Sequence, residues 1–179
     1  MKIIKLYNKE FELFISKSEI DELVCSIAKK INESQIKNPL FIAVLNGSFL
    51  FAADIMRKIT NLNSEISFIK LSSYSGTETT GKVNQLIGLE KNRIKGRNIV
   101  ILEDIVDTGI TLEKLVSLLT KEQVADIKIA TLLFKPNAYT KEIKIDYIGK
   151  SIANNFVVGY GLDYDKIGRN LPHIYKLKD

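Results

Sequence analysis

The chain has one cysteine, one histidine, three prolines and no tryptophan among its 179 residues, and each scarcity closes off a class of explanation. A lone Cys25 cannot form an internal disulfide, so ordinary side-chain packing must hold the fold together. Its place in the apolar pattern IDELVCSIAKKI (20–31) predicts a buried structural thiol rather than a catalytic one. His173, preceded by Pro172, has no Cys or His neighbours, which excludes a zinc cluster and leaves a surface or packing role. No apolar run reaches membrane-spanning length, and MKIIKLYNKEFELF interrupts its apolar residues with charges too often for a signal peptide. A cytoplasmic protein without a membrane partner is expected. Neither GxxxxGK[ST] nor a complete GxGxxG occurs, since GYGLDY (159–164) lacks the third glycine; a nucleoside triphosphatase or a dinucleotide enzyme is therefore disfavoured.

What remains is an ordinary globular composition, 45% hydrophobic and 26% charged, of a length suited to one domain spanning residues 1–179. The net charge of +5 comes from Lys and Arg scattered along the chain, never gathered into a basic block. Polyanionic small molecules account for it without a nucleic-acid partner.

Periodicity gives alternating elements. Two extended segments around KIIKLY and EFELFI precede a helix opened by Ser18, with Ile20, Leu23, Val24, Ile27, Ala28 and Ile31 at helical spacing. LFIAVL (40–45) is a continuous apolar run suited to burial on both faces of a parallel sheet, and NGS separates it from a helix over Phe49 to Ile59. EISFIKLSSY alternates as a strand, SGTETTGK is a polar exposed loop, VNQLIGL is extended again, and KNRIKGRN is a turn. IKIATLLF, IDYIGKSI and FVVGYGLDY complete the strand candidates. This order implies an α/β domain around a central, mostly parallel sheet flanked by helices.

IVILEDIVDTGITLEKL (99–115) carries the chemistry. A branched apolar strand is expected to end at Glu103, Asp104 and Asp107, followed by a helix with apolar face Leu112, Leu115, Val116 and Leu119. In such sheets ligands collect beyond the carboxyl ends of the strands, where helix N-termini offer free amides. The amides and hydroxyls of Thr108, Gly109, Ile110 and Thr111 can cradle a phosphate, with Gly109 allowing close approach. Adjacent carboxylates at Glu103 and Asp104 would repel unless something positive or hydroxyl-rich lies beside them.

VILEDIVDTGITL resembles the phosphoribosyl-pyrophosphate signature of type I phosphoribosyltransferases. VLNGSFLFAADIMR (44–57), LSSYSGTETTGKV (71–83), TLLFKP (131–136) and FVVGYGLDYDKIGRNLPHI (156–174) narrow the resemblance to the hypoxanthine-guanine branch. The resemblance implies the type I phosphoribosyltransferase fold, with a small hood formed by terminal segments and a flexible lid loop. It implies transfer of phosphoribose from phosphoribosyl pyrophosphate to a 6-oxopurine in purine salvage, with Mg2+ as cofactor and a homodimer or homotetramer as the assembly.

The resemblance also assigns roles. Asp107 is the general base for the purine N7 proton, and Glu103 and Asp104 hold the ribose hydroxyls directly or through magnesium. Residues 108–111 take the 5′-phosphate. Lys135 donates to O6, Phe156 stacks on the base, the Val157 backbone reads its edge, and Asp163 helps hold a second magnesium beside the purine. Pyrophosphate falls to Asn46, Gly47, Ser73, Tyr74 and Arg169, with Ser73 and Tyr74 on the lid. Where the family often carries Leu-Lys-Gly, this chain has Leu45, Asn46 and Gly47. A lysine-borne contact is lost there, whereas backbone amides around a non-proline cis peptide can still hold pyrophosphate.

Two other classes fit less well. A nucleic-acid-binding regulator on the same fold needs a continuous basic face, and a receiver domain places its acid pair on the first strand.

Overall fold

Alternating charged and apolar residues form strands β1 (Ile3–Leu6) and β2 (Lys9–Ile15), an antiparallel hairpin in a computed structural model that describes residues 3–71, 85–87 and 91–178. Helix α1 (Lys17–Glu33) follows, but its cap is Ser16 and not Ser18: the Ser16 hydroxyl accepts from the Glu19 amide at 3.1 Å. Ser16 and Glu19 have the spacing of a capping box, in which the serine satisfies a free amide of the first turn. Ile20, Val24, Ile27, Ala28 and Ile31 form the buried stripe. Cys25 is exposed, contrary to expectation, because it lies about 100° round the helix from Val24, off that stripe.

LFIAVL is strand β3 (Leu40–Leu45), buried over its first five residues. Helix α2 (Phe49–Met56) ends before Ile59, and β4 (Glu65–Leu71) and β5 (Gln85–Ile87) follow. The expected loop SGTETTGK, with Ser73 and Tyr74, lies outside the described residues. KNRIKGRN contains a one-turn helix, α3 (Lys91–Ile94), before its turn. Strand β6 (Asn98–Val106) runs through Glu103 and Asp104 instead of ending at them. Next come α4 (Ile110–Lys121), β7 (Asp126–Phe134) and β8 (Tyr147–Ser151). FVVGYGLDY is strand only at β9 (Val157–Val158), because Gly159, Tyr160 and Gly161 all take positive φ; β10 (Ile174–Leu177) closes the chain.

The main sheet has the order β5-β4-β3-β6-β7-β8, parallel except for β5. Alternate residues of its central strands feed two cores. Phe41, Ala43, Val100 and Leu102 pack with α1 and α2, while Ile42, Val44, Ile99 and Ile101 pack with α4 and Ile94. This two-sided burial is why these strands read as unbroken apolar runs. The chain ends make a separate antiparallel sheet, β1-β2-β10-β9, which is the hood. His173 lies at the seam between hood and α1, where Nδ1 accepts the Lys17 amide at 2.9 Å. No helix among the described residues is long and apolar enough to cross a membrane.

Candidate active site

Three segments converge at the carboxyl end of the main sheet. The first is the end of β6 with the turn into α4. Gly109 caps α4 with φ 81°, a left-handed conformation that glycine adopts without strain. The Tyr139 ring and Lys141 stem lie over Gly109 so closely that a Cβ there would clash with both. Residues 105–112 and Glu103 line a small cradle of about 100 Å³, at the place where the sequence reading expects a phosphate. Tyr139 and Lys141 had no local signal in the sequence. They reach the cradle because the segment after β7 folds across it, with the Thr140 amide donating to the Thr108 carbonyl at 3.3 Å.

Glu103 and Asp104 part company here, because successive side chains of a strand point to opposite faces. Glu103 is buried and shares the cradle. Burial, reinforced by the Asp104 charge, pushes its carboxyl well above the usual carboxylate range. Asp104 faces Gly47 on the other side. Burial raises its pKa from 3.8 to about 6, against the opposing pull of the Asp104 and Ile105 amides and of Arg169.

The second segment is the loop between β3 and α2. The Leu45–Asn46 peptide is cis, Asn46 is exposed, and the buried Ser48 hydroxyl donates to the Val44 carbonyl at 2.6 Å. Gly47 is wedged in place: a Cβ on it would overlap the Asp104 carboxylate, and a Cβ on Gly161 would overlap the Gly47 carbonyl. Asp163 and Arg169 form an ion pair at 2.6 Å beside this point, and both act electrostatically on Asp104.

The third group comprises Lys135 after β7 and, on the hood side, Phe156 and Val157. Lys135, just past β7, is buried and donates from Nζ to Asp107 Oδ2 at 2.7 Å. Phe156 remains 45% exposed. Its ring centroid lies 5.9 Å from Tyr164, edge-on, and 6.3 Å from Phe11, tilted, so it is held against two other aromatic rings. Val157 is buried and paired with Lys176 in the hood sheet.

Glu103, Asp104, Asp107, residues 108–111, Lys135 and the Asn46–Gly47 loop lie at or just past the carboxyl ends of β3, β6 and β7, with Asp163 and Arg169 beside Asp104; Phe156 and Val157 belong to the hood side, and Ser73 and Tyr74 lie outside the described residues. Glu103, Asp104 and Asp163 do not form one metal cage: among the described residues no three His, Cys, Asp or Glu side chains come together. Oxygen donors still suit magnesium, which keeps several waters and binds through one or two carboxylates plus substrate phosphates. Asp163 pairs with Arg169, and both act on the Asp104 charge, so two carboxylates are at hand for partial ligation of that kind.

Residues 16–165 match the phosphoribosyl transferase domain. The chain is 42% identical over 160 residues to the hypoxanthine phosphoribosyltransferase of Haemophilus influenzae, covering 89% of each protein. It is 40% identical over 168 residues to the hypoxanthine-guanine phosphoribosyltransferase of Staphylococcus epidermidis, covering 93% of each. A crystal structure of a hypoxanthine-guanine phosphoribosyltransferase from Bacillus anthracis superposes with a TM-score of 0.85 at 39% identity, covering 93% of this chain and 98% of that one.

Proposed function

The chain belongs to the phosphoribosyltransferase family, in its hypoxanthine-guanine branch, and from that premise we propose how its residues divide the reaction. The protein is a purine salvage enzyme that moves the phosphoribosyl group from phosphoribosyl pyrophosphate to hypoxanthine or guanine, giving the nucleoside monophosphate and pyrophosphate. The observation that carries the residue assignment is the Lys135 to Asp107 contact of 2.7 Å. A 6-oxopurine presents an acceptor, O6, beside an N7 proton on a single edge. A buried ammonium next to an acceptor carboxylate is the complement of that edge, and Phe156 offers an aromatic face to the ring.

In the reaction the base N9 forms a bond to C1′ as the bond from C1′ to pyrophosphate breaks, and the N7 proton passes to Asp107. Positive charge gathers on the sugar meanwhile. Asp107, half exposed at the mouth of the cradle, favours it electrostatically. Residues 108–111 anchor the 5′-phosphate through amides at the start of α4, which fixes C1′ in position. Glu103 and Asp104 address the ribose hydroxyls from the two faces of β6. Arg169 and the Asn46–Gly47 backbone receive the pyrophosphate, with Ser73 and Tyr74 assigned to cover it. Magnesium, when bound through Asp104 and Asp163, supplies a hard cation that neutralises the leaving group.

We assign the enzyme to the cytoplasm and to a homodimer or homotetramer, which sedimentation would distinguish. The function is tested by following nucleotide formation spectrophotometrically with phosphoribosyl pyrophosphate, magnesium and each of hypoxanthine, guanine, xanthine and adenine. Turnover on hypoxanthine or guanine is expected; failure on all four bases would overturn the reading.

A further inference from the structure

Tyr160 combines two features that rarely meet. Its backbone is left-handed, with φ 49°, which a non-glycine side chain resists at a cost of about 1 kcal/mol or more. Its side chain is almost wholly buried, 7% exposed, and donates from Oη to Asp54 Oδ2 at 2.7 Å across 106 residues of sequence. Gly159 and Gly161 on either side are also left-handed, with φ 102° and 97°, so the three form one sharply turned segment. That segment is clamped on its other edge. The Tyr160 amide donates to Leu171, the Gly161 amide to Arg169, and Arg169 Nη1 returns a bond of 2.6 Å to the Gly161 carbonyl.

Asp54 sits in α2, whose N-terminus continues directly from the Asn46–Gly47 loop. A closed ring results: Gly47 leads into α2, α2 carries Asp54, Asp54 holds Tyr160, and Gly161 returns against the Gly47 carbonyl. Asp163 and Arg169 extend from the same turned segment. Burial and the Asp54 carboxylate keep the Tyr160 phenol well above its usual range, so the hydroxyl is a permanent donor. Arg57 holds the other Asp54 oxygen at 2.8 Å but is exposed, and an exposed pair contributes little.

We infer that Asp54 and Tyr160 are positioning residues for the pyrophosphate end of the site: their hydrogen bond sets Gly161, and with it Asp163 and Arg169, against the Gly47 loop. Neither side chain touches substrate. The inference rests on the proposed assignment of Gly47 and Arg169 to pyrophosphate, and it deepens that assignment by naming what fixes their separation.

The test compares Tyr160→Phe, Asp54→Leu and Asp54→Asn with the parent in steady-state assays and in calorimetric titration with magnesium pyrophosphate, which needs no turnover. Tyr160→Phe and Asp54→Leu are expected to raise the Michaelis constant for phosphoribosyl pyrophosphate, and the dissociation constant for pyrophosphate, by about tenfold, since small displacements at a reacting centre are costly. The constant for hypoxanthine should stay within about twofold. Asp54→Asn keeps an acceptor for the phenol and should restore near-parental values. If Tyr160→Phe does not fold, the Leu and Asn pair at residue 54 decides alone. Unchanged pyrophosphate binding in Asp54→Leu, or an equal loss for both substrates, would overturn the inference while leaving the enzyme assignment intact. A parent that neither turns over nor binds magnesium pyrophosphate would overturn both.

Discussion

The Asp104 carboxylate occupies the space that any side chain at residue 47 would need. Gly47 is therefore fixed by a neighbour on another strand, beyond any need of its own turn. Gly47→Ala is expected to displace Asp104 or the loop and to raise the Michaelis constant for phosphoribosyl pyrophosphate by at least about tenfold. Asn46→Ala, at an exposed position, should change it by no more than about threefold. Measuring both variants in one assay checks the claim; a larger loss in Asn46→Ala would mean that the asparagine side chain itself holds pyrophosphate.

Asp107→Asn keeps the shape of the side chain and a partner for Lys135, so the fold should persist. The amide cannot accept the N7 proton. Forward kcat should fall by about a hundredfold to ten-thousandfold, the usual range for loss of a general base. Single-turnover kinetics with hypoxanthine give the comparison, and near-parental rates would confine Asp107 to binding.

Adenine should be rejected, because its 6-amino group would meet the Lys135 ammonium donor to donor. Lys135→Ala should raise the Michaelis constant for hypoxanthine far more than that for phosphoribosyl pyrophosphate. Comparable parental turnover on adenine would remove the O6 assignment.

Asp104 should destabilise the fold in which it works. With its pKa raised from 3.8 to about 6, the folded protein binds this proton more tightly than the unfolded chain does. Stability from this group is thus present at pH 4 and is lost as pH rises toward 6. Asp104→Asn removes the partly buried charge, and should raise the melting temperature at pH 7.5 by an amount equivalent to about 1 to 3 kcal/mol, with the gain shrinking toward pH 4. Its activity should fall meanwhile. Thermal melts across that pH range, without substrate, test the sign.

Much of this was legible because function and periodicity coincide. LFIAVL and IVIL announce strands buried on both faces, and the acids with DTGIT mark where one of those strands meets a helix. The illegible parts depend on partners distant in sequence. Cys25 reads as core by composition, yet a single step round α1 puts it in solvent. GYGLDY alternates well enough to suggest a strand, but its turn is imposed by Asp54, Leu171 and Arg169. The opposite orientations of Glu103 and Asp104 follow only once β6 is known to extend to Val106. Tyr139 and Lys141 reach Gly109 by a fold-over that no local pattern encodes.

The hood orders its strands β1-β2-β10-β9, so the last strand made is the one that joins the first hairpin to the segment bearing Phe156. Val157 and Val158 have their sheet partners at Lys176 and Tyr175, and Phe11 pairs with Leu177. During synthesis the main sheet has all its strands once Ser151 has emerged. The hood must wait for residues 174–177, a pairing of high sequence separation and so a late one. A nascent chain halted at His173 would carry a finished main sheet and an exposed, unpaired hood edge, making β10 both the link that completes the hood and the safeguard against edge-to-edge association.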